Sequence, residues 1–419
     1  MTPDATTAVR TVLVPRTLIA AVVLISAVGP LATDMYVPSF PRVSHDLGVS
    51  ARDVSLTLTS FFAGMGLGQI VGGPVSDQVG RRRPLIAGIL LTLASSIVCA
   101  VAPTIGLMVV ARLFQGFGGG WSVVVARAVI VDLAQGPQLV RVMNLLMGVG
   151  GLGPIIAPLL GALIQRVWMW RGAFWVLSFA AVLMLVAALF VVPESLPPGR
   201  RHGGGLTTFV AGAKVVLSRR AFVGYMLVNA SAFLGLFAYV STSAFVLQTM
   251  NGLSPILYSL DFAANATGMT LATLTSARLA TRVSTRRVIL AGQSLALAGA
   301  ITMLVGATFF GMPLTIALIG FLSIMIGQGF TGANGGALAS QQVPQYAGTA
   351  SAVLGLAQSL AAAIAPPLAG LGGATTAVPM ALLMVVGATS SLFALLVIAA
   401  PEPVTGGVRR FVPSWHPHR

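Results

Sequence analysis

Apolar residues run along this chain in blocks of about 20, separated by short segments that hold most of its arginine. About twenty residues of α-helix cross the ~30 Å hydrocarbon core of a bilayer. Each block therefore predicts one membrane-crossing helix. The first runs from Thr17 to Pro38 and the second from Leu56 to Ser76. Two more fill the stretch from Pro84 to Leu133, turning near Pro103. The fifth and sixth occupy Val140 to Arg166 and Arg171 to Val192. A polar stretch from Pro193 to Arg220 follows, and six further blocks start near Ala221, Ser254, Arg287, Pro313, Gly348 and Val378. The blocks are continuously apolar, whereas barrel strands would alternate over ~10 residues. The pattern predicts an all-α integral membrane protein of twelve spans.

Composition strengthens this. Of 419 residues, 56% are apolar and 8% charged. A soluble domain carries roughly 25% charged residues, so most of this surface faces lipid. The net charge of +15 is compatible with nucleic-acid binding until the charges are placed. They cluster in every second inter-helix segment, as the positive-inside rule requires. With the N-terminus inside, one side gathers arginines such as Arg81, Arg82, Arg83, Arg141, Arg219 and Arg287, while the other holds Arg42, Arg52, Arg166 and Arg171. That places both termini in the cytoplasm of a multi-pass plasma-membrane protein with no nucleic-acid partner. A cleaved signal peptide competes for the first block, but the apolar stretch is long and lacks a small-x-small cleavage site. Cys99 is the single cysteine and has no partner for an internal disulfide. His416 and His418 lack metal-site spacing, and no phosphate loop or nucleophile–base set is evident. No cofactor, metal or enzymatic activity is expected, and a monomer is.

The two halves read as diverged copies. Asp77-Gln-Val-Gly-Arg-Arg-Arg-Pro-Leu returns as Thr281-Arg-Val-Ser-Thr-Arg-Arg-Val-Ile. Ala157-Pro-Leu-Leu-Gly-Ala-Leu returns at nearly the same offset as Ala365-Pro-Pro-Leu-Ala-Gly-Leu. The expected organisation is a six-helix half over 1–193, a cytoplasmic linker over 194–220, a second half over 221–400 and a cytoplasmic tail over 401–419. Parallel repeats of this kind are a transporter layout, with the binding site between the halves near mid-membrane.

Three motifs carry a resemblance. Gly73-Pro-Val-Ser-Asp77-Gln-Val-Gly80-Arg81-Arg82-Arg83-Pro-Leu85 joins the second and third spans and resembles the signature loop of the major facilitator superfamily. The fourth span reads Arg112-Leu-Phe-Gln115-Gly116-Phe-Gly118-Gly119-Gly120 and resembles the fourth-helix motif of proton-coupled members. The fifth, with Gly153, Pro154 and Pro158, resembles the glycine–proline motif of antiporters, where such residues form a hinge. A finer similarity rests on Thr33-Asp34-Met35-Tyr36-Val37-Pro38, Trp170-Arg171-Gly-Ala-Phe174-Trp175, Phe237-Ala-Tyr239-Val-Ser241 and Ala347-Gly348-Thr-Ala-Ser-Ala. These segments are similar to drug:proton antiporters of the bicyclomycin- and chloramphenicol-resistance type. The resemblance implies proton-coupled efflux of small molecules by two rocking halves.

The residues themselves suggest roles, each with a rival. A central arginine costs about 3 kcal/mol or more in a membrane unless it faces a cavity or partner. Arg112 lies about 10 Å inside the span end near Ile105, so it either lines a cavity or snorkels. Asp34 sits at a similar depth and is expected to pair with Arg112. A carboxylate beside an arginine changes its proton affinity when that pairing is disturbed, which would couple proton and substrate. The rival is a solvated residue at the membrane boundary. Asp132 lies about 30 Å further along the same helix than Arg112, where it can meet Arg81. Asp77 is expected to cap the N-terminus of the span starting at Gly348. Together these three form either a conformational latch or a structural ion pair. Gln115, Tyr239, Ser243, Asn265, Asn334 and Gln358 line the cavity or join helices. Arg127 and Asp261 receive no role, Asp261 being set too near a span end.

A cavity with Asp34 as its one carboxylate favours neutral drug-like substrates over permanent cations. The resemblance makes the leading function an exporter that trades small, fairly apolar molecules for protons. A proton symporter or metabolite permease uses the same fold, and a non-transporting receptor or an intramembrane enzyme belongs to a different class.

Overall fold

The computed structural model describes residues 14–201, 205–279 and 282–399. The first span, α1, is Arg16–Leu47 and is broken, with helical pieces at Arg16–Ser26, Val28–Asp34 and Phe40–Leu47 and a 3₁₀ turn at Val37–Ser39. Pro30 and Pro38 lack the amide donors that a continuous helix needs there. The remaining helices of the first half are α2 (Ala51–Val79), α3 (Arg82–Val101), α4 (Ile105–Leu133), α5 (Gly136–Trp168) and α6 (Arg171–Phe190). The second half contains α7 (Arg220–Met250), α8 (Pro255–Leu279), α9 (Thr285–Phe309), α10 (Leu314–Gln341), α11 (Ala347–Ala369) and α12 (Val378–Ile398). These are two repeats of six, and most starts lie within about two residues of the expected positions, but α2 opens at Ala51 rather than Leu56 and α5 at Gly136 rather than Val140.

Eleven of the twelve are apolar enough to cross a bilayer by composition as well as length. The exception, α8, has the length but carries Asp261, Asn265, Thr267, Thr270 and Thr273. Its polar positions are those a central pathway would draw on. Two expectations need correction. The first span does not end at Pro38 but continues to Leu47. The 194–220 connector is not simply polar: Gly205–Leu217 forms a linker helix that packs on α2, α7 and α11, and so touches both halves.

Polarity is inverted relative to a soluble protein. Phe179, Phe190, Leu163, Phe309 and Ile319 are exposed, while Arg112, Gln115, Asn229 and Asn265 are buried. Within the first half, α2 and α4 share a seam of glycines. A side chain on Gly64 or Gly68 would strike the Leu113 or Phe117 carbonyl, and one on Gly116 or Gly120 the Phe61 or Met65 carbonyl. Backbone therefore meets backbone along this pair. Between the halves, α2 runs beside α11 from Arg52–Gly370 at one end to Gln69–Gly355 further along, and α5 packs on α8.

Candidate functional site: a central polar group and an arginine-rich end

Arg112 is fully buried on α4, which removes snorkelling as its explanation. Its Nη1 donates to the Ala32 carbonyl at 2.9 Å and to Gln115 Oε1 at 2.6 Å, and its Nε to the Thr57 carbonyl at 3.4 Å. Gln115 is held in turn by donating to Ser96 Oγ at 2.8 Å. The guanidinium lies over the rings of Phe61, Tyr36 and Phe174, 4.4, 5.3 and 5.7 Å from their centroids. The break in α1 makes this possible. The Tyr36 amide turns to the Thr33 carbonyl at 3.1 Å, which leaves the Ala32 carbonyl without its usual helical donor.

The expected Asp34–Arg112 ion pair is absent. Among the described residues no carboxylate lies within 4 Å of Arg112. Neutral dipoles and ring faces hold the cation instead, and its Nη2 is buried without a hydrogen-bond partner. Asp34, 8% exposed, accepts from Thr33 Oγ1 at 2.9 Å. Tyr239 and Tyr258, in the other half of the molecule, are buried as well.

Those phenols belong to a second set of side chains. Asn265 Nδ2 donates to Asp261 Oδ2 at 2.9 Å and to the Tyr239 hydroxyl at 3.3 Å. Ser243 and Tyr258 share a hydrogen bond of 3.1 Å, and the Tyr239 ring stacks on Phe262 with centroids 5.4 Å apart. The structure thus brings together Tyr239, Ser243 and Asn265, and adds Tyr258 and Asp261. Asp261 lies about 9 Å into α8, where Asn265 ties it to Tyr239 and so brings a second carboxylate to this set.

The other candidates lie apart. Asn334 donates to Ser276 Oγ at 2.5 Å and to the Phe330 carbonyl at 2.7 Å, so it joins α10 to α8. Gln358 is half-buried on α11, one residue before Ser359, which packs on Gly66 of α2. Pro154 and Pro158 lie inside α5. Gly153 packs on Pro30 of α1, and the Pro158 carbonyl accepts from Ser259 Oγ of α8 at 3.0 Å. The hinge candidates therefore stand where α1, α5 and α8 meet.

At the arginine-rich end, Asp77, Arg81 and Asp132 come together. Arg81 Nε donates to Asp132 Oδ2 at 2.9 Å, and its Nη1 to Asp77 Oδ1 at 2.5 Å and to Ser76 Oγ at 2.7 Å. Burial opposes the Arg81 charge, but Asp132 and Asp77 outweigh it and raise the guanidinium's pKa above its ordinary value. Asp77 takes Arg81 as its partner in place of the expected cap on the helix that begins at Ala347. The two lie four residues apart where α2 gives way to the turn, within easy reach of each other.

Glu194 and Ser195 belong to this group and were missed in the sequence. Glu194 accepts from the backbone amides of Arg81 at 2.8 Å, Leu196 at 3.0 Å and Arg82 at 3.2 Å. Burial would raise its pKa, but these three amides and nearby Arg201 bring it below the ordinary carboxylate value. Ser195 Oγ donates to Asp132 Oδ2 at 2.8 Å. Gly80, at φ +101°, occupies the left-handed region, and a side chain there would run into Glu194. A carboxylate one residue past a Pro at a span end was the available signal. Two of its three partners, Arg81 and Arg82, lie more than a hundred positions away.

Comparison with known proteins agrees with this architecture. The family model described as Major Facilitator Superfamily matches residues 22–366. An uncharacterised MFS-type transporter of Bacillus subtilis, YdgK, is 35% identical over 87% of this chain and 91% of its own length. A bicyclomycin resistance protein homolog of Haemophilus influenzae is 30% identical over 85% of this chain and 89% of its own. The solved D-xylose–proton symporter shares the fold, with a TM-score of 0.68 at 17% identity, covering 92% of this chain and 98% of that one. Twelve helices in two repeats, the signature loop with its ion pairs and these matches place the chain among multi-pass membrane transporters, as a member of the Major Facilitator Superfamily.

Proposed function

We propose that this transporter is a proton-coupled exporter of small, fairly apolar drugs, working by alternating access between the halves 1–193 and 221–400. The observation that carries the reading is Asp34, a buried carboxylate in a membrane span with Thr33 as its side-chain partner. A buried charge without a counter-ion is unstable in a membrane. Such a group is suited to being occupied in turn by a proton and by substrate. In the proposed cycle, the outward-open form releases substrate and Asp34 takes a proton from outside. The inward-open form passes that proton to the cytoplasm as the next substrate enters. Arg112 stays charged throughout and holds α1 to α4. The arginine-rich end faces the cytoplasm, consistent with the positive-inside rule. There Asp77, Arg81, Asp132, Ser195 and Glu194 hold the inner ends of α2, α3, α4 and α6 together and fix the face that α2 presents to α11 of the other half, which is how they act as a latch of the outward-facing form.

The relative named for bicyclomycin resistance favours an antibiotic substrate over a nutrient. Because Asp261 adds a second carboxylate, tied through Asn265 to Tyr239, monovalent lipophilic cations enter the expected substrate range alongside neutral amphenicol-like compounds. The test is drug accumulation in cells with and without the protein, with and without an uncoupler. Lower accumulation that the uncoupler abolishes supports the reading. Uptake that rises with the proton gradient makes the protein a symporter instead.

A further inference from the structure

The turn after α2, the first residues of α3 and the start of the linker converge on a pocket of about 320 Å³ lined by Val79, Arg82, Arg83, Glu194 and Arg201. Three guanidiniums face one carboxylate, a local excess of 3 − 1 = 2 positive charges. That carboxylate is already engaged, since Glu194 accepts the amides of Arg81, Arg82 and Leu196. Among the described residues no carboxylate lies within 4 Å of Arg82, Arg83 or Arg201. Arg82 donates through Nη2 to the Leu189 carbonyl at 2.5 Å, while its Nε is buried without a hydrogen-bond partner. Arg82 and Arg83 also open α3, where the positive end of the helix dipole disfavours cations. Mutual repulsion, dipole repulsion and an orphaned buried donor all point to the same missing charge.

We propose that this pocket binds a phosphate group. Planar guanidiniums hold phosphate through paired, charge-assisted hydrogen bonds. Basic pockets between membrane helices at the positively charged face are established headgroup sites. Val79, 47% exposed beside the pocket at the end of α2, offers an apolar edge of the kind an acyl chain covers. The phosphate ester of an anionic phospholipid fits both features, and inorganic phosphate shares the same recognition chemistry. A phosphate bridging Arg82 and Arg83 to Arg201 ties the start of α3 to the segment that carries Glu194 and Ser195. Occupancy therefore stabilises the Arg81–Asp132 arrangement. The inference does not depend on the direction of transport or on the substrate.

The test uses the full-length protein in nanodiscs of phosphatidylcholine, of phosphatidylcholine with phosphatidylglycerol, and of phosphatidylcholine with added inorganic phosphate. Thermal unfolding is followed by tryptophan fluorescence, and retained lipid by native mass spectrometry. Phosphatidylglycerol is expected to raise the unfolding midpoint by about 5 °C. Arg83→Ala and Arg201→Ala should each lose most of that rise, while Arg219→Ala, a basic residue outside the pocket, should keep it. A rise produced by inorganic phosphate with the same dependence on Arg83 and Arg201 also supports the site and assigns its occupant to solution. No rise from either source overturns the proposal. Equal loss in Arg219→Ala also overturns it, because the effect would then be general surface charge.

Discussion

Among the described residues two arginines, Arg81 and Arg112, are buried, and their surroundings differ in kind. Arg81 is bound by the carboxylates of Asp132 and Asp77 and by Ser76. Arg112 is bound by two backbone carbonyls, one amide and three aromatic rings, with no carboxylate among the described residues. An arginine clasped by carboxylates loses its hold when either acid is removed, so it serves as a fastener. An arginine satisfied by fixed dipoles keeps its hold whatever charge a neighbouring acid carries. In the proposed cycle that lets Asp34 exchange its proton without dismantling the centre, and the two ends of α4 would serve opposite needs, permanence at Arg112 and release at Asp132.

Asp34→Asn puts the largest strain on this contrast. It should abolish uncoupler-sensitive efflux, a loss of about 100-fold or more on the scale of a removed essential proton carrier, with membrane insertion unchanged by detergent extraction and size-exclusion profile. Persistence of pH-dependent transport in vesicles would remove Asp34 from the coupling. Arg81→Ala comes next. Removing one partner of a buried ion pair leaves uncompensated charge, and the outward-facing form should yield. Cysteine labelling of inner positions, with Cys99 replaced, should rise roughly 10-fold, within the ordinary range of conformational coupling. Asp77→Asn should do less, because that carboxylate is 46% exposed and the Asp132 bond remains.

The pH dependence of the same end follows from Glu194. Its folded pKa lies below the ordinary 4.5, so its contribution is present above that value and is lost as pH falls through the lowered one. Inner labelling should therefore climb only on acidification below about pH 4.5, and Glu194→Gln should flatten that climb. The smallest effect concerns Asp261→Asn. Protection against monovalent lipophilic cations should fall about 5-fold, the scale of one weakened charge contact, while protection against neutral antibiotics holds. Unchanged cation resistance in a growth panel would show that Asp261 does not meet substrate.

The membrane spans were readable because hydropathy over twenty residues averages out local detail. Even α8 could be placed, although Asp261 and its polar neighbours lower its hydropathy. The Arg81–Asp132 pair was also within reach, since depth along two helices sufficed to match them. The Asp34–Arg112 pair failed on the same reasoning. Equal depth says nothing about direction around the helix axis, and the break after Asp34 sends the Ala32 carbonyl toward Arg112 instead. Glu194 stayed hidden because its partners are three amides, which no side-chain pattern announces. The linker helix was lost to its charged neighbours: Arg200, Arg201, Arg219 and Arg220 made the whole connector look polar.

The glycine seam between α2 and α4 has a mechanical consequence. Helices whose carbonyls meet directly cannot slide past each other without collision, so the pair behaves as one stiff beam. Each helix is 29 residues, about 44 Å long. Arg112, seven residues into α4, sits near one end of the beam, and Arg81 and Asp132 lie at the other. If the beam pivots beside Arg112, a tilt of about 10° carries the far end, about 30 Å away, through roughly 5 Å. Asp77, Arg81 and Asp132 ride on that tip together, so the travel is taken up against α11 of the other half and not within their cluster. Substitution of Gly68 or Gly116 would soften the beam, and the same rotation at the pivot would then open a smaller gap at its tip.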